Sequence, residues 1–113
     1  MALKVQAPKE IKWPVTVNIP RDGGNTTKAI CNVRYKILPN AEFQAIYKNE
    51  GTDEDLLRNV VVGWEDDVVD ESGTPIEFSA EALDKLIEIP YRRNGLVAGY
   101  MELSQGKAAT AKN

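Results

Sequence analysis

Two stretches near the start of the chain alternate apolar and polar residues with a period of two. In "IKWPVTVNIP", Trp13, Val15, Val17 and Ile19 alternate with Lys12, Pro14, Thr16 and Asn18. In "KAICNVRYKIL", Ala29, Cys31, Val33, Tyr35 and Ile37 alternate with Lys28, Asn32, Arg34 and Lys36. That period places one apolar set on one face of a sheet. Between the runs lies "RDGGNT", whose glycines and asparagine supply the positive φ angles of a chain reversal. The pattern predicts an antiparallel β-hairpin. Pro14 has no N–H to give to a ladder, so the first strand is expected at an edge or bent there. Such an edge can accept another chain's strand.

The period then changes. In "PNAEFQAIYKNEG", Phe43, Ile46 and Tyr47 recur at helical spacing, with Asn40 as the expected cap and Gly51 as the expected end. "TDEDLLRNVV" opens with Thr52 and carries Asp55 three residues on, the spacing of a capping box. Asp53 and Glu54 fall where the helix dipole favours negative charge. In "VVVGWEDDVVDESGTPIEF" short apolar pieces are broken by the turn-rich "DESGTP". This predicts a second short hairpin with arms of about six residues, Val68 and Val69 on one and Ile76 and Phe78 on the other. "FSAEALDKLIEIP" reads as a helix capped by Ser79, with Phe78 positioned to staple onto Leu83. Pro90 begins a last helix, "YRRNGLVAGYMEL", in which Leu96, Val97, Tyr100 and Met101 recur at three and four. The expected fold is therefore α+β: an N-terminal antiparallel hairpin, a mostly helical C-terminal half, and a second short hairpin. Residues 1–106 are read as one domain and 107–113 as a flexible polar tail.

Composition narrows the function. The chain has 113 residues, is 42% hydrophobic and 27% charged, and fits a single folded domain. A net charge of -3 argues against nucleic-acid binding, which needs a concentrated basic face. No apolar run reaches the roughly 18 residues of a membrane span, and "MALKVQAPKEIKW" shows no signal-peptide core. The single cysteine, Cys31, fits a reducing compartment and a small buried hydrophobe. Residues 1–41 carry seven Lys and Arg against two Asp and Glu, 42–88 three against fourteen, and 89–113 four against one. Opposite patches of this kind allow self-association.

No constellation for catalysis is present. The chain has no histidine, which removes Ser-His-Asp, Cys-His and His-ligated metal chemistry. Glu65, Asp66, Asp67, Asp70 and Glu71 do not fit a calcium loop, because "DDVVDESGTPIE" puts valines at its third and fourth places. Non-enzymatic function, with neither cofactor nor metal, is expected. The residues left over are Trp64, Phe78, Tyr91, Arg92, Arg93, Tyr100 and Met101, types enriched in contact surfaces though each, taken singly, is more often core. They form the candidate surface for a partner or for self-association.

Residues 60–113 resemble the C-terminal half of the tail assembly chaperones of long-tailed bacteriophages and prophages. A Gly-Trp pair opens the acidic "VVDESGTPIEFS" stretch. There follow a short helix "EALDKLIEI", a Pro-started helix "PYRRNGLVAGYMEL", and a small polar tail ending in Lys112 and Asn113. The resemblance implies a protein of the host cytoplasm that binds the tape measure protein and keeps it soluble. It implies recruitment of tail tube subunits, self-association, and absence from the mature virion. It also implies a longer form made by programmed frameshift, of which this chain would be the short version. The alternative is a small structural subunit, a head–tail connector or tube-associated protein retained in the virion.

Overall fold

The computed structural model describes residues 1–111. Strand β1 (Ile11–Pro20) and strand β2 (Thr26–Tyr35) form the expected hairpin, with Val15 opposite Cys31 and Pro20 opposite Thr26. A single 3-10 turn, Asp22–Gly24, reverses the chain, and Gly23 and Gly24 both sit at φ +83°. Only glycine takes that conformation twice in succession without steric cost. Helices α1 (Asn40–Lys48) and α2 (Asp53–Val60) follow, then strand β3 (Val61–Trp64), helix α3 (Ala80–Ile87) and helix α4 (Pro90–Ser104). The sheet order is β1-β2-β3, all antiparallel.

β1 is an edge strand, and its register explains both of its prolines. The Asn32 N–H donates to the Asp67 carboxylate, and the Asn32 carbonyl accepts from the Glu65 N–H. Even-numbered β2 residues therefore turn their peptide groups towards β3, and their β1 partners turn theirs outward. Pro14 and Pro20 stand opposite Asn32 and Thr26, so neither removes a bond from the hairpin. Helix α4 leans on this outer edge: a β-carbon on Gly95 would lie 2.8 Å from the Thr16 carbonyl oxygen. The edge left open for another strand is that of β2, beyond the end of β3.

Several local expectations hold, and others need correction. The capping box at Thr52 and Asp55 is formed in both directions, and the Ser79 hydroxyl accepts from the Ala82 N–H. Asn40 is not a cap. Pro39, with φ −57° already in the helical range, precedes the helix, and its carbonyl accepts the first helical bond from Phe43. Gly51 does end α1, but the left-handed residue is Glu50 at φ +62°. The Gly51 N–H reaches the Ile46 carbonyl and the Glu50 N–H the Tyr47 carbonyl, a Schellman closure. Gly51 is needed for closeness: a β-carbon there would stand 2.3 Å from the Ile46 oxygen.

The valines before Trp64 form the third strand, pairing Val33 with Trp64 and Arg34 with Gly63. The second hairpin is reduced to one bridge, Val69 with Pro75. Its arms stop there because the Val68 N–H turns to the Glu65 carbonyl and the Ile76 carbonyl accepts from the Trp64 indole. Asp70 organises the turn between them, accepting from the Ser72 N–H and hydroxyl and from the Thr74 N–H. The Ser72 hydroxyl, then the Thr74 amide, hold the Asp70 carboxyl below its ordinary value. In the expected tail, the Thr110 hydroxyl and N–H both donate to Glu102, and Ala111 is buried. Burial pushes the Glu102 carboxyl up, but the Thr110 hydroxyl and Trp13 indole outweigh it and leave it lowered. The Lys112 and Asn113 ending lies outside the described residues.

The core gathers around α4. Val15, Val33 and Tyr35 from the sheet meet Leu56, Leu57 and Val60 of α2, Leu83 and Ile87 of α3, and Leu96, Tyr100 and Leu103 of α4. The Tyr35 hydroxyl, fully buried, donates to the Leu96 carbonyl at 2.7 Å, and the Tyr100 hydroxyl accepts from the Leu38 N–H at 3.1 Å. Gly99 makes this approach possible, since a β-carbon would meet Val15 at 2.8 Å and the Tyr35 hydroxyl at 3.1 Å.

Two substitutions test these local arguments by urea denaturation. Gly95→Ala should destabilise, because overpacking against the Thr16 backbone costs about 1–3 kcal/mol while helix propensity returns at most ~1 kcal/mol. A stabilised variant would show that α4 is not held this closely. Glu50→Gly should stabilise by up to about 1 kcal/mol, by relieving a left-handed non-glycine residue. Loss of stability there would contradict the Schellman closure.

Candidate functional site

The hairpin is longer than the layer that covers it. Ten residues of strand span about 33 Å. β3 pairs with β2 only as far as Val33, and α4 meets β1 at Val15, Thr16 and Val17. Towards the turn, Val17, Ile19 and Cys31 are half-buried and Ala29 and Ile30 exposed. This uncovered half of the hairpin forms one wall of an open groove of about 730 Å³. The Asp70 turn supplies Val68, Val69 and Ile76, α3 supplies Ala82 and Leu86, and the start of α4 supplies Tyr91. Val69 and Ile76 are 45% and 37% exposed, so the apolar surface of the groove reaches solvent.

The predicted surface residues divide. Trp64, Tyr91 and Arg92 line the groove. Trp64 is largely buried as its floor, with its indole N–H donated to the Ile76 carbonyl at 2.7 Å. Phe78 packs edge-on against Trp64, ring centres 4.8 Å apart, and supports that floor from behind. Arg92 lies 5.8 Å from the centre of the Tyr91 ring, a cation–π distance. The remaining three are elsewhere. Tyr100 is in the core, against Tyr35 and Phe43. Met101 is half-buried against the same core. Arg93 is a clamp between helices, donating to the Ile87 carbonyl at 3.2 Å and pairing with Glu54 at 3.3 Å.

The groove is charged at its rim and apolar within. Asp67, Asp70, Glu71, Glu77 and Glu81 face it, against Lys85 and Arg92. The other acids of this stretch have separate work: Glu65 pairs with Arg34 at 2.9 Å and lies 3.9 Å from Lys12. Among the described residues, no three of His, Cys, Asp and Glu gather as a metal site, and no buried side-chain nitrogen or oxygen lacks a partner. A groove with an apolar interior and charges at its rim grips by area and shape. Cys31 belongs to its wall. Burial, and secondarily the Asp67 carboxylate, push its thiol up to about 11. Such a thiol is a hydrophobe and not a nucleophile at neutral pH.

Ile30 is the lining residue that sequence reasoning passed over. Its signal was present, an apolar residue among the outward positions Lys28, Asn32 and Arg34. The sequence pattern places Val69 and Ile76 on strand arms, and only the tertiary fold brings them together with α3 and α4.

At pH 7.4, Cys31 should react with iodoacetamide on the order of 100-fold more slowly than a free thiol, in proportion to its thiolate fraction. Alkylation at the free-thiol rate would refute the placement of Cys31 in this wall. Comparisons of this chain with protein-family models, with curated proteins and with solved structures find no match.

Proposed function

We propose that this chain is a non-enzymatic assembly chaperone of a long-tailed phage, holding an apolar, largely helical segment of the tape measure protein in the groove. The observation that carries the reading is the groove itself, with an apolar interior and a charged rim. Eight of its thirteen apolar lining residues, Val68, Val69, Ile76, Leu86 and Tyr91 among them, come from the segment that resembles tail assembly chaperones. An amphipathic helix lays its apolar face into such a groove, and rim charges keep the contact reversible and the complex soluble. No cofactor enters this function. Tube subunits are recruited as the tail polymerises around the held tape measure, and the chaperone is released into the host cytoplasm before the virion is complete.

Among the described residues no helix is long and apolar enough to cross a membrane. The rival reading, a structural subunit retained in the particle, is favoured by the protruding half of the hairpin, which can join a ring of strands.

The test is co-expression with the tape measure protein of the same genome, followed by pull-down and a solubility assay. The wild-type chain should retain the tape measure protein and raise its soluble fraction. Val69→Asp with Ile76→Asp should abolish retention while leaving the fold intact, since both side chains are substantially exposed. No retention by the wild-type chain, together with its recovery in purified particles, would replace this reading with the structural-subunit one.

A further inference from the structure

Residues 1–10 form neither helix nor strand, and Met1, Leu3 and Val5 are fully exposed, at 125%, 97% and 102%. Their order is not random. In "LKVQA" the apolar Leu3, Val5 and Ala7 alternate with Lys4 and Gln6. This is the period of a half-buried strand, present where no sheet receives it.

The complementary feature stands at the groove. Beyond Asn32, β2 has no neighbour on its β3 side, because β3 ends at Trp64 and the Asp67 side chain closes the ladder at the Asn32 N–H. The peptide groups of Thr26, Lys28 and Ile30 face that side, and among the described residues none has a backbone partner there. This is an open strand edge with apolar Ala29 and Cys31 on the groove side of the pleat.

We infer that residues 1–7 of one copy add as a strand to the 26–30 edge of β2 in a second copy, seating Leu3 and Val5 in the groove. Three observations choose this occupant. The arm has the alternation an added strand requires, with pockets for alternate side chains on one face. Its charges are Lys4 and Lys9, with no acid before Glu10, and they meet a rim of five carboxylates against Lys85 and Arg92. Finally, the arm leaves its own body at Ile11, opposite Tyr35, at the far end of the hairpin. β1 lies between the arm's origin and the free edge of β2, so a chain's own arm must pass around the sheet. A neighbour's arm approaches unobstructed.

The contact joins different surfaces of two copies, so it can close reciprocally or pass from copy to copy. Neither participant depends on the chaperone reading, because both belong to this chain. A client helix in the groove would displace the arm, making client binding and arm-linked assembly alternatives.

Sedimentation velocity of the full chain over a range of concentrations tests the inference. The wild-type protein should associate as concentration rises, more strongly at low salt than at high salt. Leu3→Asn with Val5→Asn should weaken association at least tenfold at an unchanged melting temperature, since neither side chain touches the folded body. Lys28→Pro, which removes an outward N–H and no hairpin bond, should do the same from the receiving side. Hydrogen exchange at Lys28 and Ile30 should slow in the assembled form. A wild-type chain that stays monomeric throughout, a doubly substituted arm that associates as well as wild type, or arm amides already protected in the monomer would each overturn the inference.

Discussion

The fold depends on how closely α4 approaches the hairpin. Gly95 sets the helix backbone against the Thr16 carbonyl, and Gly99 sets it against Val15 and the Tyr35 hydroxyl. Only at that distance can Tyr35 donate to a carbonyl within the helix and Tyr100 accept from the Leu38 N–H. Both tyrosines are thereby buried with their polar ends satisfied, which removes the desolvation penalty an unpaired hydroxyl would carry. α2 and α3 then complete the core around the same helix, and Arg93 ties α4 to both through Ile87 and Glu54.

The same approach decides what is left uncovered. With α4 fixed at Val15 to Val17 and β3 ending opposite Val33, the distal half of the hairpin has neither a complete layer on its face nor a partner along the β2 edge. The Asp70 turn and the α3–α4 corner rise beside it without closing over it. The groove is therefore a consequence of element lengths: ten-residue strands beside a four-residue one. Its acidic rim follows from the residues that build the turn and the first turn of α3, where carboxylates are favoured for local reasons. Charge placed for folding thus also faces any partner that enters.

Local rules recovered the local structure. The alternation from Trp13 to Ile19 and from Ala29 to Ile37, the Asp-Gly-Gly-Asn reversal, the Thr52 and Ser79 caps and the Pro90 helix start all rest on interactions within a few residues. One local expectation failed, the Asn40 cap, whose place Pro39 takes; the larger errors lay where distant chain decides. Val61–Trp64 has no alternation of its own and became a strand because β2 offered it an edge. The role of α4's glycines was invisible as well, since glycine in a helix reads as a weakness until the surface it meets is known.

Of the candidate surface, the aromatic and arginine types were legible and their grouping was not. Trp64, Phe78, Tyr91 and Arg92 come together at the groove, whereas Tyr100 turns into the core and Arg93 into a helix clamp. The sequence by itself determined the hairpin, its turn, the helix boundaries marked by caps, and the absence of histidine chemistry, because these depend on residue type and short spacing. The tertiary structure decided which side chains face solvent, where β3 pairs, and that a groove exists at all. Those follow from the lengths and close approach of elements far apart in the chain, which no local pattern encodes.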